Sequence, residues 1–373
     1  MRATIHVASA TRSFQQAADL IERVLGARLS PKSVERLTHQ VGLELAQLLE
    51  AERSAQQVVA PAVAVVSCDG GRVYTREPGH GPGVHHACWR ETKNALFERM
   101  AAPTADGTDP CPELPDTFRQ VAHVAKIAEK AAFEAASPPP RQVRYEGPKR
   151  VLRTCLSSLV SSAEFGTQMQ REAQRRRFYE AIVQVFLGDG LPWNWSIQRE
   201  HFPKFTPILD FIHAVQYLYA AAQAWETTDE RRWSRYLELA ESVWQGRVDE
   251  VIDALRAELA ERGVNTPETV ADHSPHEPLV TAARYLNNNR TRMDYPRYRR
   301  QGMPITSAPM ESLIKQINHR VKGTEMTWNA PDGAEAILQV RAASLSEDGR
   351  LDHYLRHRPG HPFTRRPQPA TAA

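Results

Sequence analysis

The chain has 373 residues and a formal net charge of +3, with 41% hydrophobic and 24% charged residues. This composition predicts a globular protein with a large core, and the length allows two or three domains. No segment approaches the ~18–20 consecutive apolar residues that a membrane span needs, and residues 1–10 lack the apolar core of a secretory signal. We therefore expect a cytoplasmic protein with no membrane partner.

The four cysteines are far apart in the sequence and form no Cys-x-x-Cys pair. This spacing indicates neither a zinc knuckle nor a disulfide framework. We expect reduced thiols at Cys68, Cys88, Cys111 and Cys155.

Residues 1–55 have the pattern of a small helical unit. Apolar residues recur at helical spacing from Ala17 to Leu25, and Ser30 with Pro31 forms the start of a second helix. Two helices joined by a short turn can place the second helix in the DNA major groove. An ordinary helical hairpin has the same pattern, so both interpretations stay open. In the DNA-binding interpretation the outward side chains are Lys32, Ser33 and Arg36.

A pattern typical of strands begins after residue 61. Residues 63–66 are a continuous β-branched and apolar run, typical of a strand buried on both faces, and Asp69 follows where this strand is expected to end. Residues 72–77 and 87–99 are two further strand candidates. The sequence thus predicts a strand followed by a meander.

The next segments predict a loop and a helix. Residues 101–142 are rich in proline and indicate a loop that carries one alanine-rich helix. Residues 149–177 are expected to be helical, and they become strongly basic toward their end. A second buried strand is expected to follow.

The stretch FLGDGLPWNW ends that second apolar run on Asp189, which is followed by Gly190. A carboxylate at the end of a strand suits either chemistry or a simple turn. Trp193 and Trp195 could stack on a distorted base near a cleavage site or fill the core.

Residues 284–300 concentrate positive charge, with interleaved tyrosines and one acid, Asp294. Guanidinium groups bind phosphate and aromatic rings stack on bases, so this stretch suits a nucleic acid. A solvated, arginine-rich connector is the other interpretation. The arginines are Arg284, Arg290, Arg292, Arg297, Arg299 and Arg300.

A further helix is expected from Ser307 to Gly323. Its apolar stripe includes Met310 and Ile317, while Glu311 lies on a separate polar stripe. An acid in a first helical turn is also favoured by capping and by the helix dipole alone. The other members of the polar stripe are Lys315, His319 and Lys322.

Two aspartates at strand ends and a glutamate on a later helix form the arrangement that holds two divalent cations for phosphoryl displacement. The order of SCDGG, FLGDG, ILDFIHA and SAPMESLIKQINHRVKGTEMTWN resembles the DDE transposases of bacterial insertion sequences. The resemblance covers residues 13 to 345 and lies in the order of the motifs rather than in any single motif.

The resemblance implies an α/β fold, with an RNase H-like mixed sheet flanked by helices. It implies that Asp69, Asp189 and Glu311 are the catalytic metal ligands for two Mg²⁺ ions, with Mn²⁺ as a substitute. Asp210 and His213 match the family's Asp-x-x-His element as supporting residues, although a helix cap and a core histidine explain them equally well. The expected partners are double-stranded DNA at element ends and target, and further copies of the chain on that DNA.

The resemblance also divides the chain. We expect a helix-turn-helix-like unit at 1–55, the first part of the core at 56–213, a helical insertion at 214–300, the second part of the core at 301–345 and a basic tail at 346–373. Core filling is favoured for the tryptophans of the insertion, Trp225, Trp233 and Trp244.

The activity expected from the resemblance is metal-dependent DNA cleavage and strand transfer in the nucleoid. A catalytically silent, transposase-derived DNA-binding protein or repressor is the main alternative. A nuclease or resolvase on the same fold is a third possibility. The family often has a longer N-terminal region, and residues 101–142 match none of its motifs.

Overall fold

The computed structural model describes residues 1–51, 59–76, 86–101, 107–264, 273–323 and 326–358. The strands are β1 (Val63–Arg76), β2 (Ala87–Met100), β3 (Arg150–Ser158), β4 (Val183–Gly188) and β5 (Thr206–Leu209). The first helices are α1 (Arg2–Ala10), α2 (Phe14–Leu25), α3 (Pro31–Ala51), α4 (Val121–Ile127), α5 (Ser162–Arg175), α6 (Pro192–His201) and α7 (Phe211–Trp225). The remaining helices are α8 (Asp229–Trp244), α9 (Val248–Glu261), α10 (Glu277–Asn289), α11 (Tyr295–Arg300), α12 (Ala308–Val321), α13 (Pro331–Leu345) and α14 (Arg350–His357).

The five strands form one mixed sheet in the order β3-β2-β1-β4-β5. The first three strands are antiparallel neighbours, while β4 and β5 run parallel to β1. Helices cover both faces, which explains why β1 begins with six successive buried residues, Val63 to Cys68. This is the strand order of an RNase H-like α/β fold, and the fold class expected from the sequence is confirmed.

The boundaries of the first strands differ from the sequence expectation. β1 does not end before Asp69 but continues to Arg76, because β2 keeps pairing with it as far as Ala87. The helix expected at 149–177 was wrong in its first part, where Arg150–Ser158 is strand β3 on the edge of β2. Pairing with strand β2 determines both the end of β1 and the strand conformation of residues 150–158. The local periodicity of the sequence contains no information about this pairing.

The N-terminal helices pack on the C-terminal ones. The expected helices α2 and α3 are present, preceded by α1, which the sequence pattern did not predict. Gly42 of α3 lies so close to α13 that a Cβ atom would stand 2.2 Å from the backbone oxygen of Ala336. Ile5 and Val41 share a core with Leu351 of α14. Residues 1–51 and 326–358 therefore stabilise one another.

The helices from α7 to α11 form the segment between β5 and α12. Trp233 and Trp244 are buried there, as core filling predicts, and Trp225 is partly buried beneath the guanidinium of Arg235. Within the described ranges, no helix is long and apolar enough to cross a membrane.

A buried ionic cluster joins α5 to α14. The carboxylate of Glu172 is fully buried and accepts hydrogen bonds from Arg175, Arg176 and Arg350. Burial alone would raise the pKa of Glu172, but the charges of Arg350, Arg176 and Arg175 lower it far below its usual value. The ionised carboxylate therefore holds three guanidinium groups that would otherwise repel one another.

We predict that Glu172→Gln lowers the free energy of unfolding by about 3–5 kcal/mol at neutral pH, because it removes the buried negative charge that binds three guanidinium groups. Since the folded pKa is depressed, the loss is full at pH 7 and shrinks as the pH falls below the ~4.3 of an unfolded glutamate. Urea denaturation between pH 3 and pH 7 measures both effects. Glu180→Gln, which alters an exposed ion pair with Arg177, is the control and should change little.

Candidate active site

Three aspartates form one row where the parallel pairing of β1, β4 and β5 ends. Cys68 of β1 is paired with Gly188 of β4, and Gly188 is paired with Leu209 of β5. The next residue on each of the three segments is an aspartate: Asp69, Asp189 and Asp210. The register of the parallel strands therefore aligns the carboxylates, although 141 positions separate the first from the last in the sequence.

The environment of the first two carboxylates of the row disfavours their charged forms. Burial and then the charge of Asp189 raise the pKa of Asp69 to about 6. Burial also raises the pKa of Asp189, against the opposing effects of the Leu191 N–H and of His213. Both side chains are partly buried rather than sealed from solvent. Two such carboxylates gain stability from any cation that binds between them.

Neighbouring groups hold Asp189 in place. Its Oδ1 atom accepts hydrogen bonds from the backbone N–H of Leu191 at 2.9 Å and from Nδ2 of Asn194 at 2.5 Å. The Tyr285 hydroxyl donates to the Asp189 carbonyl oxygen at 2.6 Å. Gly190 has φ +98°, and its missing side chain leaves room for the Tyr285 ring. An open cavity of about 530 Å³ is lined by Asp189, His213 and Tyr285 among others.

Asp210 is fully buried and joins three elements. Its Oδ1 atom accepts the N–H groups of Ile212 and Ser307, each at 3.0 Å, and its Oδ2 atom accepts the Ser307 hydroxyl. Asp210 thus caps α7 and also holds the residue before α12. Asp210 is therefore a helix cap, as one interpretation of the sequence predicted, and it has a second role in binding Ser307.

His213 lies one turn into α7, with its Nε2 atom 3.7 Å from Oδ2 of Asp210. Its Nδ1 atom is 3.0 Å from Oε1 of Gln216. Burial lowers the pKa of His213, but the charges of Asp210, Asp189 and Asp69 outweigh it and raise the pKa overall. The negative charges of the aspartate row therefore favour the protonated form of His213.

Glu311 lies apart from this row in its contacts. It is in the first turn of α12, its side chain is 34% exposed, and its Oε2 atom is 3.7 Å from Nζ of Lys315. The charge of His213 lowers the pKa of all three aspartates, and Glu311 is not among the main influences on these pKa values. Its connection to the site runs through the backbone, because α12 begins next to Ser307 and Ser307 binds Asp210.

The donor chemistry of the row suits a hard divalent cation. Asp69 and Asp189 offer carboxylate oxygens, the ligands that Mg²⁺ prefers. Within the part of the chain that the structure describes, no three His, Cys, Asp or Glu side chains converge closely enough to form a complete metal site. The assignment of Asp69, Asp189 and Glu311 as a ligand set therefore stays a prediction.

The arginines from 284 to 300 have different environments. Arg290, Arg297 and Arg300 are exposed, while Arg292 is partly buried with its guanidinium 4.4 Å from the ring centroid of Trp195. Arg299 was wrong as a DNA-binding residue, because its side chain is fully buried. Arg299 binds Asp109 through two hydrogen bonds and donates to the Trp244 carbonyl at 3.0 Å, so it serves the core.

The remaining predicted DNA contacts lie at the surface. Lys315, His319 and Lys322 follow one face of α12 and are exposed. On α3, Arg36 is exposed, Lys32 pairs with Glu35 at 2.9 Å, and the partly buried Ser33 bonds to Ser30. These positions are accessible to a polyanion, and DNA binding at each of them stays a prediction.

The two tryptophans beside Asp189 pack inside the protein. Trp195 is 5% exposed, and its Nε1 atom donates to Oδ1 of Asn289 at 3.0 Å. Trp193 is partly buried against the core, and Nζ of Lys93 lies 5.9 Å from its ring. The core-filling interpretation therefore fits Trp195.

No protein-family model matches the chain, and no curated protein matches it. Among solved structures, the chain is similar to a Drosophila P element transposase strand transfer complex, with 9% identity and a TM-score of 0.39. That similarity covers 94% of this chain and 92% of the other. A superposition at this level determines neither fold nor function, so the fold assignment stands on the strand order.

Sequence reasoning missed the partners of the row. Asn194 binds both Asp189 and the Cys68 carbonyl, and its sequence signal is a lone amide between two tryptophans. Ser307 was identified only as the start of a helix, yet its hydroxyl binds Asp210 and makes no side-chain cap to α12. For Tyr285 the only feature visible in the sequence was its position in the basic stretch 284–300.

We predict that Asp69→Asn stabilises the protein at pH 8 by on the order of 1 kcal/mol, because it removes one of two repelling charges. The folded pKa of Asp69 is raised to about 6, so the cost of ionising it is full above that pH. The gain therefore shrinks as the pH falls toward ~4, where both states become protonated.

Thermal denaturation at pH 5 and pH 8 measures this effect in the absence of divalent ions. Asp253→Asn, which changes an exposed aspartate on α9, is the matched control. A variant that is less stable than the wild type at pH 8 would contradict the repulsion between Asp69 and Asp189.

Proposed function

We propose that this chain is a DDE-type DNA transposase of a bacterial insertion sequence, which catalyses metal-dependent DNA cleavage and strand transfer. The observation that supports the proposal best is the row of carboxylates on the central strands of an RNase H-like sheet. Asp69 and Asp189 are partly buried and have raised pKa values, as expected of a functional site rather than of surface acids.

In this proposal Asp69, Asp189 and Glu311 hold two Mg²⁺ ions, for which Mn²⁺ can substitute. Divalent cations at these carboxylates would neutralise charge on the attacking and leaving oxygens of an in-line displacement at a phosphodiester. The protein needs no side-chain nucleophile for such a reaction. The same site then serves both cleavage and the attack of a 3′-hydroxyl on target DNA.

The neighbouring residues orient the carboxylates. Asn194 fixes the rotamer of Asp189, and it also binds the Cys68 carbonyl at 3.3 Å, so it ties β4 to β1 beside the row. Asp210 is enclosed by hydrogen bonds and positions the start of α12, and with it Glu311. His213 supplies a positive charge that limits repulsion among the aspartates. Each of these groups supports the arrangement without touching the substrate.

DNA in this proposal lies across the basic surfaces near the row. Arg290, Arg297 and Arg300 would contact phosphates on one side, and Lys315, His319 and Lys322 would do so along α12. Lys32, Ser33 and Arg36 would contact the element end. Assembly of further copies on the two ends belongs to the same proposal, as does a location in the bacterial nucleoid.

A catalytically silent DNA-binding protein derived from a transposase is the second candidate. The ion pair between Glu311 and Lys315 favours it, because this glutamate is engaged away from the aspartate row. In that case the fold and the basic surfaces persist while cleavage does not. Cleavage of DNA in Mg²⁺ by the wild-type protein distinguishes the two candidates.

We predict that Mn²⁺ raises the melting temperature of the wild-type protein and that Asp189→Asn loses this gain, because the variant removes one ligand charge. The new amide oxygen keeps the hydrogen bonds from Leu191 and Asn194, so the fold is preserved. DNA cleavage should fall by at least ~10²-fold, since each ~1.4 kcal/mol of barrier is a factor of ten. Equal Mn²⁺ shifts in the wild type, Asp189→Asn and the control Asp253→Asn would contradict the metal site.

We predict that Glu311→Gln also lowers cleavage by at least ~10²-fold while DNA binding survives, because the change keeps the size of the side chain and removes only its charge. The matched control is Glu250→Gln, which alters a first-turn glutamate of α9 that also pairs with a cation. Cleavage, binding and melting curves are measured for both variants. If Glu311→Gln cleaves as fast as the wild type, Glu311 serves only the helix dipole.

A further inference from the structure

The two ring nitrogens of His213 have different surroundings. Its Nδ1 atom is 3.0 Å from Oε1 of Gln216, which lies one turn later on α7. Its Nε2 atom is 3.7 Å from Oδ2 of Asp210, beyond hydrogen-bond distance. The hydrogen bond made by one ring nitrogen sets which nitrogen of a neutral imidazole carries the proton. The position of the proton on His213 therefore depends on whether Gln216 accepts or donates at Nδ1.

The carbonyl of Ile127 fixes the orientation of the Gln216 amide. The Nε2 atom of Gln216 is 2.9 Å from this carbonyl oxygen. A carbonyl oxygen only accepts hydrogen bonds, so the amide nitrogen must face it. Turning the amide over would bring two oxygen atoms together and lose the hydrogen bond. The Oε1 atom therefore faces His213, and because Oε1 only accepts, Nδ1 of His213 must carry a proton.

The Ile127 carbonyl is available because α4 ends there. The last four carbonyls of a helix have no partner within the helix. Here the backbone N–H groups of residues 128–130 bind the carbonyls of residues 124–126, with Glu129 in the left-handed region at φ +52°. Gln216 binds the fourth carbonyl, that of Ile127. The hydrogen bond to Gln216 thus completes the end of α4.

The residues after α4 are attached to α7 and α8. The hydroxyl of Tyr219 donates to the carbonyl of Ala131 at 2.8 Å, and its ring stacks on Phe133 at a centroid distance of 4.3 Å. The backbone N–H of Glu134 donates to Oδ2 of Asp229 at 2.8 Å. These contacts hold the end of α4 against the helix that carries Gln216. The Ile127 carbonyl is therefore a fixed point for the amide.

Asp210 does not replace Gln216 as the hydrogen-bond partner of His213. Its Oδ1 atom already accepts two backbone N–H groups, and its Oδ2 atom accepts the hydroxyl of Ser307. The hydrogen bond to Gln216 therefore holds the imidazole ring. His213 and Gln216 both line the cavity of about 530 Å³ that Asp189 also lines. The orientation of the ring thus belongs to the geometry of the candidate active site.

We propose that Gln216 is a positioning residue of the active site, which is anchored by the Ile127 carbonyl and holds His213 with a proton on Nδ1 and with Nε2 toward Asp210. The proposal rests on the proposed function for the role of this site in DNA cleavage. It gives residues 107–142, which match no motif of the family, a part in the site, because α4 supplies the anchoring carbonyl. Without Gln216 the ring is free to turn or to shift its proton, and the positive charge beside the aspartate row loses its fixed place.

The first test observes the proton itself, in EDTA and without DNA, so that it does not depend on cleavage. Protein labelled with ¹⁵N-histidine is studied between pH 6 and pH 9 by NMR spectra that correlate ring nitrogens with ring protons. The signals of His213 are those that are absent from the spectrum of His213→Asn. We expect Nδ1 to stay protonated over this range, with a proton that exchanges slowly with solvent.

Two variants separate the hydrogen bonds of Gln216. Gln216→Met removes both bonds at nearly constant size, so the slowly exchanging Nδ1 proton should be lost and the Nε2–H tautomer should appear when the ring is neutral. Gln216→Glu keeps an oxygen that accepts from Nδ1, so it should retain the signal although it cannot donate to Ile127. Circular dichroism verifies that each variant is folded.

The second test measures activity. Gln216→Met should lower kcat for DNA cleavage in Mg²⁺ about tenfold, the lower end of the range for groups that orient residues around a metal site. DNA affinity in EDTA should change less than twofold, because Gln216 is not one of the predicted DNA contacts. Gln223→Met is the matched control, since Gln223 is a partly buried glutamine seven residues later on α7 and does not line the cavity. It should change neither quantity.

An unprotonated Nδ1 in the wild type, or identical His213 signals in the wild type and Gln216→Met, overturns the positioning role. A Gln216→Met variant that cleaves DNA as fast as the wild type overturns it as well. A wild type that does not cleave DNA contradicts the proposed function instead. In that case the NMR comparison still decides whether Gln216 positions His213.

Discussion

The burial of Asp210 is the constraint on which the site depends. A carboxylate with no solvent exposure is costly unless donors surround it, and here the donors come from the first turn of α7 and from Ser307. Satisfying this one group fixes where α7 leaves the sheet and where α12 begins. The first turn of α12 carries Glu311, so a buried structural acid determines the position of a candidate ligand that is distant in sequence.

The like charges of the aspartate row lower the stability of the folded protein, and interactions elsewhere in the fold must compensate for this loss. Two partly buried carboxylates with raised pKa values lower the free energy of unfolding at neutral pH. The protonated form of His213 compensates for only part of this loss. At Glu172 the pKa shift has the opposite direction, because this buried carboxylate is surrounded by arginines and its pKa is lowered. Charge is therefore paired in the Glu172 cluster, where it holds helices together, and incompletely compensated at the aspartate row.

Arginines in one short stretch serve different purposes, and burial decides which. Arg299 fills its hydrogen bonds inside the protein with Asp109 and the Trp244 carbonyl, while Arg290 and Arg300 face solvent. The same contrast separates the tryptophans, because Trp195 packs beneath the guanidinium of Arg292, whereas Trp89 of β2 is 51% exposed. A basic or aromatic sequence pattern therefore gives only an upper limit on the number of side chains that are accessible at the surface.

The sequence by itself predicted positions Asp69 and Asp189 and the helix that carries Glu311, and the order of its motifs predicted the class of fold through a family resemblance. Apolar runs and helical periodicity are local signals, so they can be recognised without knowledge of neighbouring elements. Tertiary structure decided the rest. Strand β3 was misassigned as helix because only its pairing with β2 makes it a strand. Groups that are remote in sequence also decide the burial of Arg299, the hydrogen bond from Ser307 to Asp210 and the exposure of Trp89. Local sequence patterns carry no information about such contacts.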